Sequence, residues 1–277
     1  MRWAQINPVT TVVPRLLLRL EKLYNQHTSF SRGRCACSRL IFWGVRHLGF
    51  STPLLRLKSG IVFEYSPSVA RDVVVRDLLL TGSFEPGQTE IIKRLLPNGG
   101  VFIDVGANIG YFSVIGAISV GPTGRVYAFE PVEEIYRLLC QNLSLNSLSN
   151  VDARNLACFS CSGRMGIERT PDSAKSYLSS AKTKIVSVTT IDDFVAEVPV
   201  HRLDLIKVDA EGSDLEVLKG AHRTIETFRP AIILELDHLA RFGGSRGEVF
   251  QLLDAHGYSV REIRGKHSVD LLCKPSA

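Results

Sequence analysis

The stretch from Val101 to Gly110, "VFIDVGANIG", decides the fold. Four of its first five residues are apolar and the remaining one is an acid, Asp104; Gly106 follows, and Gly110 comes four residues later. A short apolar run bounded by glycines is typical of a buried strand, and glycine allows the tight turn after it. The stretch therefore predicts a strand that turns sharply into a helix, with a carboxylate at or near the end of the strand.

On both sides of this stretch, the sequence alternates between strand and helix patterns. We expect strands at 101–105, 125–130, 151–155, 203–208 and 231–236, two short strands near the C-terminus, and helices within 71–82, 83–97, 111–120, 132–145, 213–225 and 246–256. Ser213 and Glu216 predict a capping box for the fifth helix. Residues 163–190 are expected to be irregular except for the β-rich "IVSVTT" at their end. Such alternation predicts an α/β, doubly wound, mostly parallel sheet with helices on both faces.

Charge divides the chain into two parts. Residues 1–60 contain ten Lys or Arg and one acid, whereas the remaining residues contain 23 basic and 27 acidic groups. We therefore predict a basic, helical N-terminal extension over 1–60 and a catalytic domain over 61–277. Arg15, Arg19 and Lys22 share one face of a predicted amphipathic helix. This helix either covers the catalytic domain or binds an anionic membrane surface; a cleaved targeting peptide is a third alternative.

The cysteines and the hydropathy of the sequence indicate a cytoplasmic protein, with peripheral contact at the inner face of a membrane as an alternative. No apolar run reaches the roughly 18 residues that span a bilayer. Cys35 and Cys37 with Cys158 and Cys161 could supply four zinc ligands, but neither pair lies in a zinc-ribbon pattern, and reduced thiols are the favoured interpretation. We expect no metal and no nucleic-acid partner, and the sequence does not determine the oligomeric state.

Two acids indicate the cofactor. Glu130 ends the strand after the one that holds Asp104, and an acid at that place can bind the two hydroxyls of a ribose. A dinucleotide site would have glycine where Asp104 stands, because a carboxylate repels a pyrophosphate. The same carboxylate suits S-adenosyl-L-methionine, which carries a sulfonium and an ammonium and has no phosphate. The alternative is that Asp104 and Glu130 only cap helices.

Several sequence blocks resemble one enzyme family. "VFIDVGANIGYFS", "GRVYAFEP", "NLSLN", "DLIKVDAEGSDLEVLKGA" and "RPAIILEL" are similar to the FkbM family of S-adenosylmethionine-dependent methyltransferases, over roughly residues 80–236. The resemblance implies the class I methyltransferase fold, a seven-stranded sheet whose last strand is antiparallel. The block "GSFEP" resembles the family's entry segment, which would place Glu85 near the cofactor. Asp214 departs from the family pattern, where Glu is usual.

The strand ends contain the predicted site residues. The predicted cofactor-binding residues are Glu85, Asp104, Gly106, Asn108, Gly110, Glu130, Asn155 and Ala157, the last two in the loop expected to line the adenine. Asn146 is expected to close its helix. Asp209 and Glu211 are the predicted catalytic residues because they follow a strand directly, and a base in this place can take the proton of an acceptor.

Other polar residues near these strand ends receive lesser roles. Lys207 is expected to pair with one of the nearby acids. Glu235 is a more remote alternative for the base, and His238 is expected to be a surface residue. Three acids in one cleft could instead hold Mg²⁺.

The sequence thus predicts an S-adenosylmethionine-dependent O-methyltransferase. The expected acceptor is a hydroxyl of a sugar, a glycolipid or a hydroxylated natural product. One alternative is an NAD-dependent nucleotide-sugar oxidoreductase, which the carboxylate of Asp104 disfavours. The other is a non-catalytic scaffold that retains the fold.

Overall fold

The computed structural model describes residues 54–65, 73–169, 176–179, 184–236, 238–264 and 269–276. The predictions for Arg15, Arg19 and Lys22, the membrane-binding alternative and the pair Cys35–Cys37 lie outside the described residues. The described residues fall into two units, a smaller one that ends at Ser83 and a larger one that begins at Phe84. The domain boundary predicted at residue 60 stays a prediction.

The smaller unit contains a hairpin and a helix. Strands β1 (Leu54–Arg56) and β2 (Val62–Glu64) pair in antiparallel fashion, and the side chain of Phe63 is buried. Helix α1 (Val73–Thr81) ends at Gly82, whose φ of 75° suits a residue without a Cβ. The predicted end of this helix is therefore confirmed.

The larger unit carries the remaining elements. Its helices are α2 (Pro86–Leu95), α3 (Tyr111–Val120), α4 (Glu133–Leu145), α5 (Ile191–Glu197), α6 (Asp214–Lys219), α7 (His222–Phe228) and α8 (Arg246–Ala255), with a 3-10 helix at Leu239–Phe242. Its strands are β3 (Val101–Val105), β4 (Arg125–Phe129), β5 (Val151–Arg154), β6 (Ala157–Cys158), β7 (Gly163–Arg169), β8 (Ser176–Ser179), β9 (Ile185–Thr189), β10 (Leu205–Val208), β11 (Ala231–Glu235), β12 (Tyr258–Arg264) and β13 (Val269–Pro275).

Seven strands form the central sheet. Their order is β12-β13-β11-β10-β3-β4-β5, and β13 runs antiparallel to both of its neighbours. The chain builds outward from β3 in one direction and then returns to β10 on its other side, so the strand order reverses between β3 and β10. This arrangement confirms the predicted class I methyltransferase fold. It also brings the carboxyl ends of β3 and β10 together, where ligands bind in sheets of this kind.

Burial explains why β3 and β10 lie at the centre of the sheet. Phe102 and Ile103 in β3, and Leu205 and Ile206 in β10, are fully buried. Strands that are covered on both faces need continuous apolar runs, which both segments supply. Each of these two strands also contains one charged residue, and both charged residues belong to the site described below.

The prediction that residues 163–190 are mostly irregular was wrong, but the β-rich "IVSVTT" at their end does form a strand, β9. Strands β7, β8 and β9 lie in this segment, and with β6 they form a second sheet in the order β6-β9-β7-β8. Residues of β9 alternate between exposed and buried, so one face of the strand packs inward. The sequence gives little sign of β7 because its glycines and charged residues interrupt any alternation.

The single helix predicted after β10 is two helices, α6 and α7, in the structure. The capping box predicted for Ser213 and Glu216 was also wrong. The helix is interrupted at Gly220, where an added Cβ would lie 2.1 Å from the carbonyl oxygen of Phe159. The hydroxyl of Ser213 donates to the carbonyl of Ala210, while Glu216 binds Lys219 at 2.6 Å. A capping box forms instead at the start of α8.

Within the described residues, every helix is too short or too polar to cross a membrane.

Candidate functional site

The loop between β3 and α3 is fixed to β4 by its backbone. The amides of Gly106 and Ala107 both donate to the carbonyl oxygen of Phe129, at 3.0 and 2.9 Å. Gly106 has a φ of 78°, in the left-handed region that favours glycine. A Cβ on Gly106 would lie 2.0 Å from the carbonyl oxygen of Asp209, and one on Gly110 would lie 2.6 Å from Leu139. Both glycines therefore allow close packing.

Glu130 is held at the end of β4 by two backbone amides. Its side-chain oxygens accept hydrogen bonds from the amide of Asn108 at 3.1 Å and the amide of Val132 at 2.9 Å. Val132 is the N-cap residue of α4. Glu130 therefore also contributes to the start of this helix, in line with the alternative that it caps a helix. Asn108, with a φ of 50°, sits in the middle of the loop between β3 and α3, which is the predicted cofactor loop. The carboxylate of Glu130 thus connects that loop to the end of β4.

Two asparagines fix the surroundings of Glu130. The side-chain amide of Asn155 donates to the carbonyls of Glu130 and Pro131, at 2.9 and 3.1 Å. Asn142, which is fully buried, donates to the carbonyl of Ile109 at 2.8 Å. This role of Asn142 is not evident from the sequence, although Asn142 lies in the block "NLSLN" one helical turn before Asn146.

Asn146 ends helix α4. Its side chain donates to the carbonyl of Asn142 at 2.7 Å, and it occupies the C-cap position. The predicted role of Asn146 in closing its helix is confirmed.

Asp104 is buried inside β3, one residue before the strand ends. One carboxylate oxygen accepts a hydrogen bond from the hydroxyl of Ser113 at 2.6 Å, and the other has no hydrogen-bond partner in the described part of the chain. Burial raises the pKa of Asp104, and the nearby charge of Lys207 opposes this shift. A buried oxygen without a partner is costly, and a ligand that donates a hydrogen bond would satisfy it. This feature fits the ammonium or hydroxyl groups of S-adenosylmethionine.

Lys207 is the buried cation of the site. Its ammonium lies 3.0 Å from the carboxylate of Asp209 and 4.8 Å from the ring centroid of Phe112. Burial alone lowers the pKa of Lys207, but the negative charges of Asp209, Asp104 and Glu235 outweigh it and leave the pKa above its ordinary value. Lys207 is therefore charged, and its predicted pairing with a nearby acid is confirmed.

The loop after β10 holds both predicted catalytic acids. The amide of Asp209 donates to the carbonyl of Val105 at 3.1 Å, so this loop begins directly beside the cofactor loop. Glu211 has a φ of 51°, and its carboxylate lies 3.8 Å from the guanidinium of Arg241. Arg241 also donates to the carbonyl of Glu211 at 2.7 Å. Asp209 is more accessible than Glu211, since their side chains are 30% and 13% exposed.

The side chain of Asp214 holds the loop after β10 in place through hydrogen bonds to its backbone. It is fully buried, and its two oxygens accept hydrogen bonds from the amides of Ala210 and Gly212, both at 2.9 Å. Burial raises the pKa of Asp214 to about 7; the backbone hydrogen bonds oppose the shift and the charge of Asp209 adds to it. In the sequence, Asp214 stands out only as a departure from the family pattern, and its hydrogen bonds are not evident there. Its hydrogen bonds define the path of the chain between Asp209 and α6.

We expect Asp214 to make the stability of the protein depend on pH. Because its folded-state pKa is about 7 and its ordinary value is 3.8, the folded protein holds this proton more tightly than the unfolded chain does. The free energy of unfolding should therefore fall, by up to about 4 kcal/mol, as the pH rises from about 4 to about 7. Urea unfolding across this range should show a shallower decrease for Asp214→Asn. The exposed control Asp254→Asn should keep the wild-type dependence, and equal slopes for all three proteins would contradict the assignment.

Glu85 lies at the start of α2, next to an aromatic cluster. The ring of Phe84 packs on Tyr111 and Phe112 at centroid distances of 5.9 and 5.8 Å, which joins the start of α2 to the start of α3. Glu85 itself is buried and has a φ of 36°. The structure thus places Glu85 beside the helix that follows the cofactor loop.

The remaining predicted residues lie in β6, in β11 and just before the 3-10 helix. Ala157 is buried in β6 and pairs with Val188 of the second sheet. Glu235 is the last residue of β11 and is half-buried. His238 is exposed, as expected, and its carbonyl accepts the amide of Arg241.

A buried polar pair near Glu235 was missed by sequence reasoning. The side-chain amide of Gln88 in α2 donates to the carboxylate of Asp270 in β13, and both residues are buried. Asp270 is the register partner of Glu235 across β11 and β13. The two partners are 182 residues apart in the chain, so no local pattern could have joined them.

Comparisons with known proteins identify relatives. Residues 104–260, more than half of the chain, match the family described as "Methyltransferase FkbM domain". The chain is similar to methyltransferase sdnD of Sordaria araneosa, with 26% identity over 63% of this chain and 80% of that protein. It is also similar to the hexuronic acid methyltransferase AglP of Haloferax volcanii, with 27% identity over 66% of this chain and 74% of that protein.

The chain is also similar to a solved structure. It is the crystal structure of methyltransferase FkbM from Methylobacillus flagellatus KT, which is 19% identical with a TM-score of 0.47. The match covers 75% of this chain and 54% of the solved chain, so this chain spans about half the length of that protein.

Proposed function

The chain belongs to the FkbM family of S-adenosylmethionine-dependent methyltransferases, and from that premise we propose that it methylates a hydroxyl oxygen of a sugar or of a similar hydroxylated acceptor. A relative that is 27% identical is named a hexuronic acid methyltransferase, which favours a sugar acid as the acceptor. A glycolipid or a hydroxylated natural product would offer the same kind of acceptor group, a hydroxyl. Family membership favours methyl transfer over the NAD-dependent oxidoreductase that the sequence left as an alternative.

One observation supports this function above the others: the cofactor loop and the loop of acids are in direct contact. The carbonyl oxygen of Asp209 lies where a Cβ of Gly106 would be, and the amide of Asp209 is hydrogen-bonded to Val105. A cofactor on the first loop would therefore lie beside an acid on the second. A methyltransferase needs this arrangement, because it must align an acceptor oxygen with the methyl group and remove a proton.

The cofactor-binding residues are proposed from the same geometry. We propose that Glu130, at the end of β4, accepts hydrogen bonds from the ribose, and that the Asp104 oxygen that lacks a hydrogen-bond partner among the described residues accepts one from the amino-acid part. Glu85, the buried residue before α2, is proposed to bind the same part of the cofactor. Asn155 would line the adenine pocket and orient the backbone after Glu130.

The reaction requires a base and no further activation of the cofactor. When bound, S-adenosylmethionine supplies a methyl group on a positively charged sulfur. The acceptor oxygen would take this methyl group, and the electron pair of the broken carbon–sulfur bond would remain on sulfur. We propose that the carboxylate of Asp209 accepts the hydroxyl proton, since it is the more exposed of the two acids and Lys207 fixes its orientation. Glu211 is the second candidate for the base.

The test of this function is methyl transfer to defined acceptors. Purified protein is incubated with S-adenosylmethionine that carries a deuterated methyl group and with uronic acids, neutral sugars and their lipid-linked forms, and the products are analysed by mass spectrometry. A deuterated methyl group on a product supports the proposal, and mild alkali then separates the two kinds of product. A methyl ether at a hydroxyl survives, whereas a methyl ester at the carboxylate is hydrolysed. Cofactor binding without transfer to any acceptor would favour the non-catalytic scaffold.

We expect Glu130→Ala to weaken cofactor binding. S-adenosylhomocysteine should bind the wild-type protein in the micromolar range, roughly −8 kcal/mol. Loss of the carboxylate should reduce this affinity by about 1–3 kcal/mol, the scale for hydrogen bonds to a charged group. Isothermal titration calorimetry measures the change, with Glu90→Ala as a control because Glu90 is an exposed acid that pairs only with its helical neighbour Arg94 in the described contacts. Unchanged affinity in Glu130→Ala would remove Glu130 from the ribose site.

A further inference from the structure

Two histidines and a glutamate meet on the surface of the larger unit, away from the site described above. His222 and Glu226 are one turn apart in α7, and His256 follows the last residue of α8. Each of the three offers one atom that can bind a metal, and these atoms lie within 4.8 Å of one another. His222 and Glu226 are exposed and His256 is half-buried, so this group, here called the His222 cluster, is open to solvent.

The hydrogen bonds of His256 determine its tautomer. Its Nδ1 lies 2.7 Å from the carbonyl oxygen of Leu252, and since a carbonyl can only accept, Nδ1 carries the proton. In the neutral ring, Nε2 then has a lone pair, and Nε2 lies 2.8 Å from Nδ1 of His222. A histidine whose Nδ1 donates to a backbone carbonyl while Nε2 points outward has the arrangement typical of a metal ligand.

The environment of the cluster favours a cation. The carboxylate of Glu226 lies 3.5 Å from Nε2 of His222. His256 stands at the C-terminal end of α8, where the helix dipole attracts positive charge. One positive charge is also close, because the guanidinium of Arg229 donates to the carbonyl of His256 at 3.1 Å. That guanidinium also lies 5.7 Å from the ring of Tyr258.

We propose that the His222 cluster binds a divalent transition-metal ion of the Zn²⁺ class. His256 binds through Nε2 and His222 through Nδ1, the two nitrogens that face each other, and water completes the coordination. The carboxylate of Glu226 lies beside Nε2, the other nitrogen of the His222 ring, so this exposed side chain would turn toward the ion to supply an oxygen. Two nitrogens bound to one tetrahedral Zn²⁺ are about 3.3 Å apart, given Zn–N distances of about 2.0–2.1 Å. The two nitrogens are now 2.8 Å apart, so opening by about half an ångström admits the ion.

The bound ion would connect two elements that are distant in sequence. His222 and His256 are 34 residues apart, and the ion would link the first turn of α7 to the end of α8. A ligand that binds only the folded state stabilises it, so Zn²⁺ should raise the melting temperature. This role is independent of methyl transfer.

Titration of metal-free protein with Zn²⁺ tests the proposal. The exposed thiol of Cys161 is another potential zinc ligand, so thiols are first alkylated, and CD spectroscopy verifies that each protein remains folded. Wild-type protein should bind one ion that His222→Ala and His256→Ala do not bind. Glu226→Gln should weaken this binding by about tenfold or more. The matched control His201→Ala removes an exposed histidine outside the cluster and should behave as the wild type.

A second measurement keeps the test decisive if an alanine variant is unstable. His256→Gln retains a polar side chain of similar length, and Zn²⁺ should raise the melting temperature of the wild type and of His201→Ala but not of His256→Gln. The proposal is overturned if the His222 and His256 variants bind the same number of ions with the same affinity as the wild type. A purely structural hydrogen bond between the two histidines would give that result.

Discussion

Replacing Asp209 with asparagine should reduce turnover by about 10²- to 10⁴-fold, the usual contribution of a positioned base. Asparagine keeps the shape of the side chain and removes the charge that would accept the acceptor's proton. Lys207 loses one carboxylate partner in the variant but keeps Asp104 and Glu235 as nearby negative charges. We therefore expect a folded protein whose affinity for S-adenosylhomocysteine changes far less than its turnover. Single-turnover kinetics and calorimetry measure the two quantities separately.

The controls for Asp209 distinguish three roles. Asp254→Asn removes an exposed aspartate of α8 and should leave both turnover and affinity unchanged. An equal loss of affinity and turnover in Asp209→Asn would make Asp209 a cofactor ligand. If neither quantity changes, the role of the base passes to Glu211 or Glu235, and Glu211→Gln becomes the next variant.

Gly106→Ala should have the largest effect on the fold of the site. The new Cβ would lie 2.0 Å from the carbonyl oxygen of Asp209, so the backbone of one loop must move. The φ of 78° adds a conformational cost for any residue with a Cβ. Together these effects should lower the free energy of unfolding by roughly 2–5 kcal/mol and weaken cofactor binding. Chemical denaturation and calorimetry measure both.

Gly243→Ala is the matched control for Gly106→Ala. Gly243 has a similar φ of 70°, but an added Cβ there would meet no atom within 4 Å. It should therefore show only the conformational cost, roughly 1–2 kcal/mol. Equal destabilisation by the two variants would mean that the contact with Asp209 has no measurable consequence.

The sequence predicts the central sheet well because its signals are local. The apolar run of β3, the glycines after it and the capping residue Asn146 each determine the conformation of a few neighbouring residues. Helix α3 and strand β3 occupy the predicted residues. Parallel strands buried on both faces need continuous apolar runs, so these strands are recognisable one at a time.

Features that depend on distant contacts could not be predicted in this way. Strand β7 forms through pairing with β9, and Gly220, where the predicted helix is interrupted, packs closely against the carbonyl of Phe159. Within the site, the acid of Asp209 was recognised from its place after a strand. The hydrogen bond from Asn142 to the carbonyl of Ile109 joins residues 33 positions apart, and the sequence alone gives no reason to expect it.

The contact between Gly106 and the carbonyl of Asp209 limits how such an enzyme can be redesigned. With no space between the two loops, a substitution that shifts one loop also shifts the other, so acceptor preference and cofactor affinity would change together. Libraries aimed at new acceptors should therefore leave residues 105–110 and 208–212 unchanged. Diversity is better introduced at exposed positions that do not bind these loops, such as Ala240 in the 3-10 helix Leu239–Phe242, whereas Arg241 should be kept because it donates to the carbonyl of Glu211.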